Sequence, residues 1–388
     1  MKKTIIILAI IIIAIAAYLI FATEEEQTTS PPTENENKTG ENNTNLPLTI
    51  AEGFQISTLA ENLPGARAMV IDGMGNMWVS RTEQGAITLL EIENNQVKNK
   101  EDIFTNLNQP HGLAIDPQDP LTLYYAETDK VSKVELYTEA KPEKIIDLPA
   151  GGRHFTRTIM FGPDNKLYIS IGSSCDTCEE ENNKRATILR ANKDGSNLEI
   201  FASGLRNAVF MTTHYVTGEM WATEMGRDHL GDNTPPDEIN ILKEGEHYGW
   251  PYCYGKQTYD SEFNKKSPEF CQQTEPSYID IQAHSAPLGL DFIPEEGWPE
   301  NYWHDLLVAY HGSWNRTKPT GYKVVRFKLD AQGDPKNNQF ERTDFISGWL
   351  TENNEKLGRP VDILLQPGGI MYLSDDMGGR IYKITYQQ

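Results

Sequence analysis

Short apolar segments alternate with turn residues along most of the chain, and one arrangement of them recurs six times. Each copy has a basic residue, a short apolar stretch, a Gly/Pro/Asp turn and a stretch with an aromatic residue, as in "TRTIMFGPDNKLYISIG". No apolar period of 3.6 residues persists over several turns, so the pattern predicts β-hairpins rather than helices. The copies begin at Ala66, Pro110, Thr156, Leu205, Ala283 and Gly358.

The spacing of the copies predicts the architecture. They lie some 45 to 80 residues apart, enough for a four-stranded antiparallel sheet in each interval. We therefore expect an all-β, six-bladed β-propeller over residues 48–388, because a β-sandwich would not need the same hairpin six times. An early strand, "GFQISTLA", and a late strand, "RIYKITY", are expected to pair and close the ring, which leaves no free sheet edge.

A different pattern begins the chain. Lys2 and Lys3 precede 18 apolar residues, Ile5 to Ala22, which as a helix would span about 27 Å, near the hydrocarbon thickness of a bilayer. We predict a transmembrane helix within residues 1–22 rather than a cleaved signal peptide, because the run ends in the bulky "YLIFAT". The basic residues before it and acidic residues after it place the C-terminal domain outside the cytoplasm, as a single-pass membrane protein, or secreted if the segment is cleaved.

Residues 23–47 carry six Glu against one Lys and almost no apolar residue. Such a segment cannot bury enough surface to offset its ordering entropy, so it is predicted to be a disordered acidic linker. The whole chain has a formal net charge of −21, which argues against nucleic acid as a partner.

Four cysteines, in a chain predicted to lie outside the cytoplasm, indicate disulfides. Cys175 with Cys178 and Cys253 with Cys271 is the simplest of three possible pairings. A redox-active or metal-binding role for the Cys-x-x-Cys pair is the alternative.

In a propeller, the residues just before each blade's first strand line one mouth of the central channel. Here most of them are cationic or imidazole side chains, which indicates a polyanionic ligand, because guanidinium groups bind carboxylates in a bidentate manner. The alternative is that each arginine pairs with a blade carboxylate such as Asp237, Glu238 or Asp362. The residues are Arg67, His111, His154, Arg157, Arg206, Asn207, His284 and Arg359.

An acidic, glycine-rich loop, residues 224–255, is predicted near the same mouth. Its carboxylates and exposed carbonyls are the hard oxygen ligands that Ca²⁺ prefers, although the spacing matches no EF-hand, and a solvated acidic loop is the alternative. Its first acidic residues are Glu224, Asp228, Asp232, Asp237 and Glu238.

The motifs resemble the sorbosone and glucose dehydrogenase family, soluble quinoproteins that hold pyrroloquinoline quinone (PQQ) and Ca²⁺ on a six-bladed propeller, and are most similar to its sorbosone-dehydrogenase-like branch. The resemblance runs from about Gly53 to Tyr386. The motifs that carry it include "PHGLA", "HFTRT", "FASGLRNAVF", "GEMWATEMGRDHLGDNTPPDEIN", "HYGWPYCYG", "HGSWNR" and "GRPVDI".

The resemblance implies roles for individual residues. His154 falls at the general base, and Arg206 and Asn207 fall at positions that contact the cofactor. Arg359 matches an arginine that meets the quinone, and Gln109 or His111 takes the place of a glutamine near it. Arg67 and Arg157 join the predicted cofactor-binding set through the ring pattern. Backbone carbonyls of Gly226 and Arg227 match those that bind the bridging Ca²⁺, and Glu224 and Asp237 complete the predicted metal site.

One departure concerns the base. Glucose-oxidising members carry an acidic residue where this chain has Ser173, so help for His154 is expected from Asp176 or Glu224. By resemblance, a neutral imidazole takes a sugar hydroxyl proton while hydride passes to the quinone, with Ca²⁺ and Arg206 stabilising the oxyanion.

We therefore predict a PQQ- and Ca²⁺-dependent oxidoreductase that oxidises a sugar, sugar aldehyde or polyol and passes electrons to an acceptor of unknown identity. One alternative is a Ca²⁺-dependent, lactonase-like propeller hydrolase. Another is a non-catalytic propeller that binds glycans or proteins through exposed aromatic residues, expected to be Trp250, Trp298, Trp303 and Trp314.

Overall fold

The computed structural model describes residues 39–387. The predicted transmembrane helix, residues 1–22, and the linker up to residue 38 lie outside the described residues. Within residues 39–387, no helix is long and apolar enough to cross a bilayer.

Three strands precede the first repeated hairpin: β1 (Glu41–Asn43), β2 (Thr49–Ile50) and β3 (Phe54–Ala60). β1 runs parallel to β3 at the outer edge of a blade. The amide of Asn42 donates to the carbonyls of Leu46 (2.8 Å) and Leu48 (2.9 Å), which fixes the turn that follows. The disordered linker predicted to reach residue 47 is therefore corrected for residues 39–47, because backbone pairing and the Asn42 amide order a segment that buries little apolar surface.

The next twelve strands form three four-stranded antiparallel sheets, each in chain order. Blade 1 has β4 (Ala66–Ile71), β5 (Met77–Arg81), β6 (Ala86–Glu93) and β7 (Gln96–Phe104), with a 3₁₀ turn at Thr82–Gln84. Blade 2 has β8 (Leu113–Asp116), β9 (Asp119–Ala126), β10 (Lys130–Glu135) and β11 (Glu143–Asp147). Blade 3 has β12 (Ile159–Phe161), β13 (Leu167–Ile171), β14 (Thr187–Ala191) and β15 (Glu199–Ser203).

The remaining strands form three more blades and a separate two-stranded sheet; one of these blades is extended by β2, and another by β3 and β1. Blade 4 has β16 (Ala208–Thr213), β17 (Met220–Glu224), β18 (Asp237–Leu242) and β21 (Ile279–Ile281), with an insertion of β19 (Cys253–Tyr254), β20 (Thr258–Tyr259) and a 3₁₀ turn at Pro268–Gln273. Blade 5 has β22 (Pro287–Phe292), β23 (Leu306–Tyr310), β24 (Lys323–Phe327) and β25 (Arg342–Ser347), with a 3₁₀ turn at Glu300–Tyr302, and β2 pairs with β25. Blade 6 has β26 (Pro360–Gln366), β27 (Ile370–Asp375) and β28 (Arg380–Tyr386).

Both ends of the described chain meet in blade 6. β28 pairs antiparallel with β3, so that Tyr386 lies opposite Phe54 and Ile381 lies opposite Ala60. This is the predicted ring closure. The six-bladed propeller is thereby confirmed, and all six repeated hairpins form the first two strands of a blade.

The hairpins also bring side chains to one mouth of the channel. The first strand of each blade begins there, and the second strand runs back to it because the two are antiparallel. In blades 1, 4, 5 and 6, the pairing between the first two strands is interrupted by a bulge directly after the first residue of the first strand. The bulges follow Ala66, Ala208, Pro287 and Pro360. Such bulges bend the strand and redirect the residues beside them, here next to the mouth.

Candidate functional site

A cavity of about 230 Å³ opens at this mouth. Residues from the loops before and after the inner hairpins of blades 3 to 6 line it. The predicted site residues among them are His154, Arg206, Asn207, Gly226, Asp237, His284 and Arg359. The sequence predicted Asp228 as part of the acidic loop and Trp314 as an exposed aromatic residue. It gave no site role to the other lining residues, Arg153, Met225, Ala286, His311, Gly312 and Asn315.

His154 is held by the segment that follows β13. Its backbone N–H donates to the Ser173 carbonyl (3.3 Å), and its Nδ1 lies 2.8 Å from Ser173 Oγ. The Ser173 hydroxyl donates its single proton to the Cys175 carbonyl (2.6 Å), so Nδ1 must be the donor to Ser173. The other ring nitrogen, Nε2, therefore carries the lone pair.

Burial keeps this imidazole neutral. Desolvation, followed by the positive charges of Arg206 and Arg153, lowers the pKa of His154 to about 3. Ser173, rather than the expected Asp176 or Glu224, forms the hydrogen bond that orients the His154 ring. The negative charge of Asp176 acts on His154 through space and opposes the lowering of its pKa.

Gly172 allows this close packing. A Cβ atom at Gly172 would lie 2.6 Å from Cβ of His154 and 2.8 Å from Oδ1 of Asn207. Both distances are shorter than van der Waals contact, so a side chain there would displace one of these two cavity residues.

Arg206 is anchored on a disulfide-closed loop. Its Nε donates to the Asp176 carbonyl (3.0 Å), and its Nη2 lies 2.6 Å from Oδ1 of Asp176 and 3.2 Å from Oδ2 of Asp228. Asp176 lies between Cys175 and Cys178, which form a disulfide. The alternative expectation of arginine–carboxylate pairing therefore holds for Arg206, although its side chain also lines the cavity.

The Arg359 guanidinium forms no ion pair with a carboxylate among residues 39–387. Its Nε donates to the His311 carbonyl (3.0 Å) and its Nη2 to the Gly312 carbonyl (2.7 Å), rather than to a carboxylate. Desolvation lowers the pKa of Arg359. A half-buried guanidinium beside a cavity, hydrogen-bonded to carbonyls and not to a carboxylate, favours an anionic ligand.

His311 faces the same cavity, together with His154 and His284. Its Nε2 lies 3.0 Å from both carboxylate oxygens of Asp376, and Asp376 also pairs with Nη1 of Arg67 (2.7 Å). Desolvation lowers the pKa of His311 to about 4, although the adjacent carboxylate opposes this. Arg67 thus lies behind the cavity wall and acts on the cavity through Asp376 and His311.

Three predicted cofactor contacts lie away from the cavity lining. Arg157 is fully buried, and its guanidinium donates to the carbonyls of Pro149, His154 and Thr156. His111 is fully buried against Phe210. Gln109 is exposed and accepts a hydrogen bond from Thr128. The lining of this cavity therefore includes none of the three: Arg157 binds the carbonyls of its own loop, His111 packs inside the fold, and Gln109 is exposed outside the lining.

Buried carboxylates lie beneath the loop that follows β17. Oε1 of Glu224 accepts the N–H of Asn207 (2.9 Å), but its Oε2 is buried without a hydrogen-bond partner among the described residues. Asp237 accepts the N–H groups of Gly226 (3.0 Å) and Ala286 (2.9 Å). Desolvation raises the pKa of Asp237 to about 7, and that of Glu224 well above its ordinary value.

An orphaned, buried carboxylate oxygen fits a hard cation, because an unpaired buried charge is costly unless a cation neutralises it. Glu224 and Gly226 border a second, narrower cavity together with Arg227, Glu238 and Asp260. The Arg227 side chain turns to Asp260 (2.7 Å). The side chain is therefore engaged away from the predicted metal site, and the group predicted to bind metal is the backbone carbonyl of Arg227.

The cysteines form the pairs favoured by the sequence, Cys175–Cys178 and Cys253–Cys271. The first closes the loop that holds Arg206. The second ties the blade 4 insertion together.

The cavity residues that were missed come mainly from the ends of second strands. Met225 follows β17, His311 and Gly312 follow β23, and Asp376, behind the wall, follows β27. The repeat pattern contains the signal for them, because both ends of an antiparallel hairpin lie at the same mouth.

The fold and the cavity define a class of protein: a six-bladed propeller with histidines, arginines and buried carboxylates gathered at one mouth. The family model described as TrAA12-like matches residues 48–387, and the chain belongs to that family. The membership supports the resemblance to PQQ-dependent sugar dehydrogenases, whereas the sorbosone branch stays a prediction.

Two relatives in sequence show the range of similarity. An uncharacterised protein of Borreliella burgdorferi is 38% identical over 226 residues, which are 58% of this chain and 58% of the relative. A pyrroloquinoline quinone-dependent pyranose dehydrogenase of Coprinopsis cinerea is 22% identical over 403 residues, with 87% of this chain and 54% of the relative covered. The chain thus spans little more than half the length of these curated relatives.

Two solved structures share the fold. A Trichoderma reesei member of carbohydrate-active enzyme family AA12 has a TM-score of 0.76 at 20% identity, and the match covers 88% of this chain and 98% of that one. The holo form of the PQQ domain of pyranose dehydrogenase from Coprinopsis cinerea has a TM-score of 0.74 at 21% identity, with 90% and 99% covered.

Proposed function

We propose that the protein is a PQQ- and Ca²⁺-dependent dehydrogenase that oxidises a sugar, sugar aldehyde or polyol. The observation that carries the proposal is the convergence of a neutral histidine, His154, with Arg206 and Arg359 on one cavity. Membership of the TrAA12-like family and the names of the relatives support it.

The cavity suits a planar tricarboxylate. Arg359, whose hydrogen bonds go to carbonyls, and Arg206, which pairs with Asp176 and Asp228, would hold its carboxylates, with Asn207 also in the lining. When bound, the quinone supplies the two-electron acceptor for the oxidation. The protein supplies position and charge.

His154 is suited to act as a base. Its Nε2 lone pair is available to a substrate hydroxyl proton, and the lowered pKa keeps the imidazole neutral. The low pKa also makes it a weak base, and an anionic ligand that offsets the charges of Arg206 and Arg153 would strengthen it. Ser173 and the Cys175 carbonyl keep the other nitrogen protonated, so the ring cannot present the wrong tautomer. The imidazolium that forms is disfavoured by Arg206 and Arg153, which promotes release of the proton to solvent.

Calcium fits the carboxylate cluster. Glu224 and Asp237, with the backbone carbonyls of Gly226 and Arg227, would supply oxygen ligands next to the cavity, and the partnerless Oε2 of Glu224 supports this assignment. A cation there would also offset the repulsion among the buried carboxylates.

We also propose that the enzyme acts outside the cytoplasm. Two disulfides support an oxidising compartment. The apolar run within residues 1–22 would tether the propeller to the membrane. Electrons would pass to an acceptor outside this chain.

The test is to add PQQ and Ca²⁺ to the purified protein and to follow reduction of an artificial dye with a panel of sugars and polyols. We expect quinone-dependent dye reduction with at least one substrate, and loss of turnover but not of quinone binding in His154→Gln. Failure of the quinone to bind would reject the proposal, and lactone hydrolysis without quinone would favour a hydrolase. Normal turnover in His154→Gln would remove its role as base.

A further inference from the structure

One tryptophan differs from the others in its surroundings. Trp250 and Trp298 are 8% and 4% exposed, and Trp303 is half-buried, so the expectation that all four aromatic residues are exposed is wrong. Trp314 is 62% exposed and lines the cavity. An indole ring that solvent reaches at the mouth of a cavity is available to a ligand, because exposing so much apolar surface has no folding benefit.

The Trp314 ring is backed by polar groups. The guanidinium carbon of Arg153 lies 5.9 Å from the ring centroid, and the ring of His229 lies 5.8 Å away at 87°. His229 is exposed and adopts a φ of 67°, a conformation that non-glycine residues rarely adopt and that often marks functional sites. Two rings thus meet at a right angle at the cavity entrance.

The loop that carries Trp314 is fixed on both sides. The Tyr322 hydroxyl donates to the Ser313 carbonyl (2.6 Å), and the Asn315 amide donates to Oδ1 of Asp228 (2.7 Å). Asp228 also pairs with Arg153 (2.6 Å). The indole is therefore held in place before any ligand arrives, which lowers the entropy cost of binding.

We propose that Trp314 is the platform of a substrate subsite on which the apolar face of a pyranose ring stacks. The axial C–H groups of a pyranose form a flat apolar face that matches the negative face of an indole, while its hydroxyl groups point outward to polar partners. An open-chain polyol has no such rigid face. The subsite therefore selects cyclic saccharides over acyclic polyols.

A protein partner explains the same surface less well. Stable protein interfaces bury about 800 Å² on each side, whereas Trp314 lies in a concave cavity of about 230 Å³ among charged side chains. A compact polyhydroxylated ring stacked on the exposed face of Trp314 matches the polarity of this mouth and leaves the interior of the cavity to the quinone.

This inference rests on the proposed function for its choice of substrate, but binding can be measured without turnover. Tryptophan fluorescence of the quinone-free protein is titrated with methyl β-D-glucopyranoside, a locked ring, and with D-glucitol, its open-chain counterpart. The variants are Trp314→Ala, Trp314→Phe, and Tyr215→Ala as a matched control. Tyr215 is 45% exposed in the turn after β16, about 20 Å along that strand from the cavity.

We expect the wild type to bind the glycoside and to bind glucitol more weakly. Binding to Trp314→Ala is measured by calorimetry, because this variant lacks the tryptophan whose fluorescence reports binding. Trp314→Ala should weaken glycoside binding roughly tenfold, Trp314→Phe should weaken it less, and Tyr215→Ala should leave it unchanged. Equal binding of both ligands, absence of glycoside binding, or an unchanged Trp314→Ala would overturn the subsite. Glycoside binding through Trp314 in a protein that does not take up PQQ would instead reject the dehydrogenase and keep the subsite.

Discussion

Ser173 Oγ lies 2.8 Å from Nδ1 of His154 and donates its own proton to the Cys175 carbonyl. A hydroxyl with a single proton thereby fixes the tautomer of the proposed base. Ser173→Ala should leave the Nδ1–H without its acceptor and allow the ring to rotate, at a cost of about 1 kcal/mol, or roughly a fivefold loss in kcat.

Steady-state kinetics and a quinone titration would test this. Quinone affinity should stay unchanged in Ser173→Ala, and Ser173→Thr should recover turnover because it keeps a hydroxyl. Ser80→Ala removes another fully buried serine, in blade 1, and serves as the control. An unchanged kcat in Ser173→Ala would contradict the positioning role.

The pKa of His154, lowered to about 3, predicts a dependence of stability on pH. Between pH 6.5 and 3, the unfolded chain binds a proton at this residue and the folded chain does not, so stability falls as the pH falls. The loss from His154 should reach up to about 2 kcal/mol at pH 5. Urea unfolding of wild type and His154→Gln at pH 7.5 and 5.0 measures it. The variant should lose less stability on acidification, and equal losses would refute the low pKa.

The two disulfides should have different effects. Replacing Cys253 and Cys271 with serine opens a loop with a sequence separation of 18 and should lower the free energy of unfolding by about 3 kcal/mol. Replacing Cys175 and Cys178 opens a much shorter loop, so the loss should be smaller. Its main effect should be on quinone affinity, because Asp176 in that loop anchors Arg206. Denaturant unfolding and quinone titration of both double variants measure the two effects separately. A larger loss of stability without Cys175–Cys178, or a larger loss of quinone affinity without Cys253–Cys271, would contradict the prediction.

Glu224 should couple stability to calcium. Its buried Oε2 has no partner among residues 39–387, and burial raises its pKa. Glu224→Gln should therefore make the protein equally or more stable without calcium, because glutamine stays neutral where burial penalises the carboxylate. Calcium should raise the Tm of the wild type but not of this variant. Glu219→Gln, an exposed residue in the same hairpin, should behave as the wild type. A calcium-induced rise in Tm that persists in Glu224→Gln would place the metal elsewhere.

The blades could be predicted from the sequence because the two strands of each hairpin are close together in the chain. Each hairpin, such as β12 with β13, alternates apolar and turn residues within about twenty positions, and repetition makes the signal unambiguous. The closing pair, β3 and β28, follows from the rule that sheet edges are covered. The Cys175–Cys178 bridge follows from proximity in sequence.

The direction of each side chain was not readable in the same way. Arg157 and His154 stand three residues apart in one loop, yet His154 lines the cavity and Arg157 is buried among carbonyls. Likewise, Trp250 and Trp314 look alike in the sequence, and only one is exposed. A loop's path depends on which backbone groups of neighbouring blades need partners, and local sequence carries little of that information.

By itself, the sequence determined the number of blades, their order, the closure of the ring and the mouth at which polar side chains gather, because these depend on periodicity and strand length. Only the tertiary structure decided which of those side chains share a cavity, and that Ser173 rather than a carboxylate holds His154. These outcomes arise from contacts between residues far apart in the chain, such as Arg67 with Asp376. The energy of such contacts depends on burial and exact separation, which no local pattern encodes.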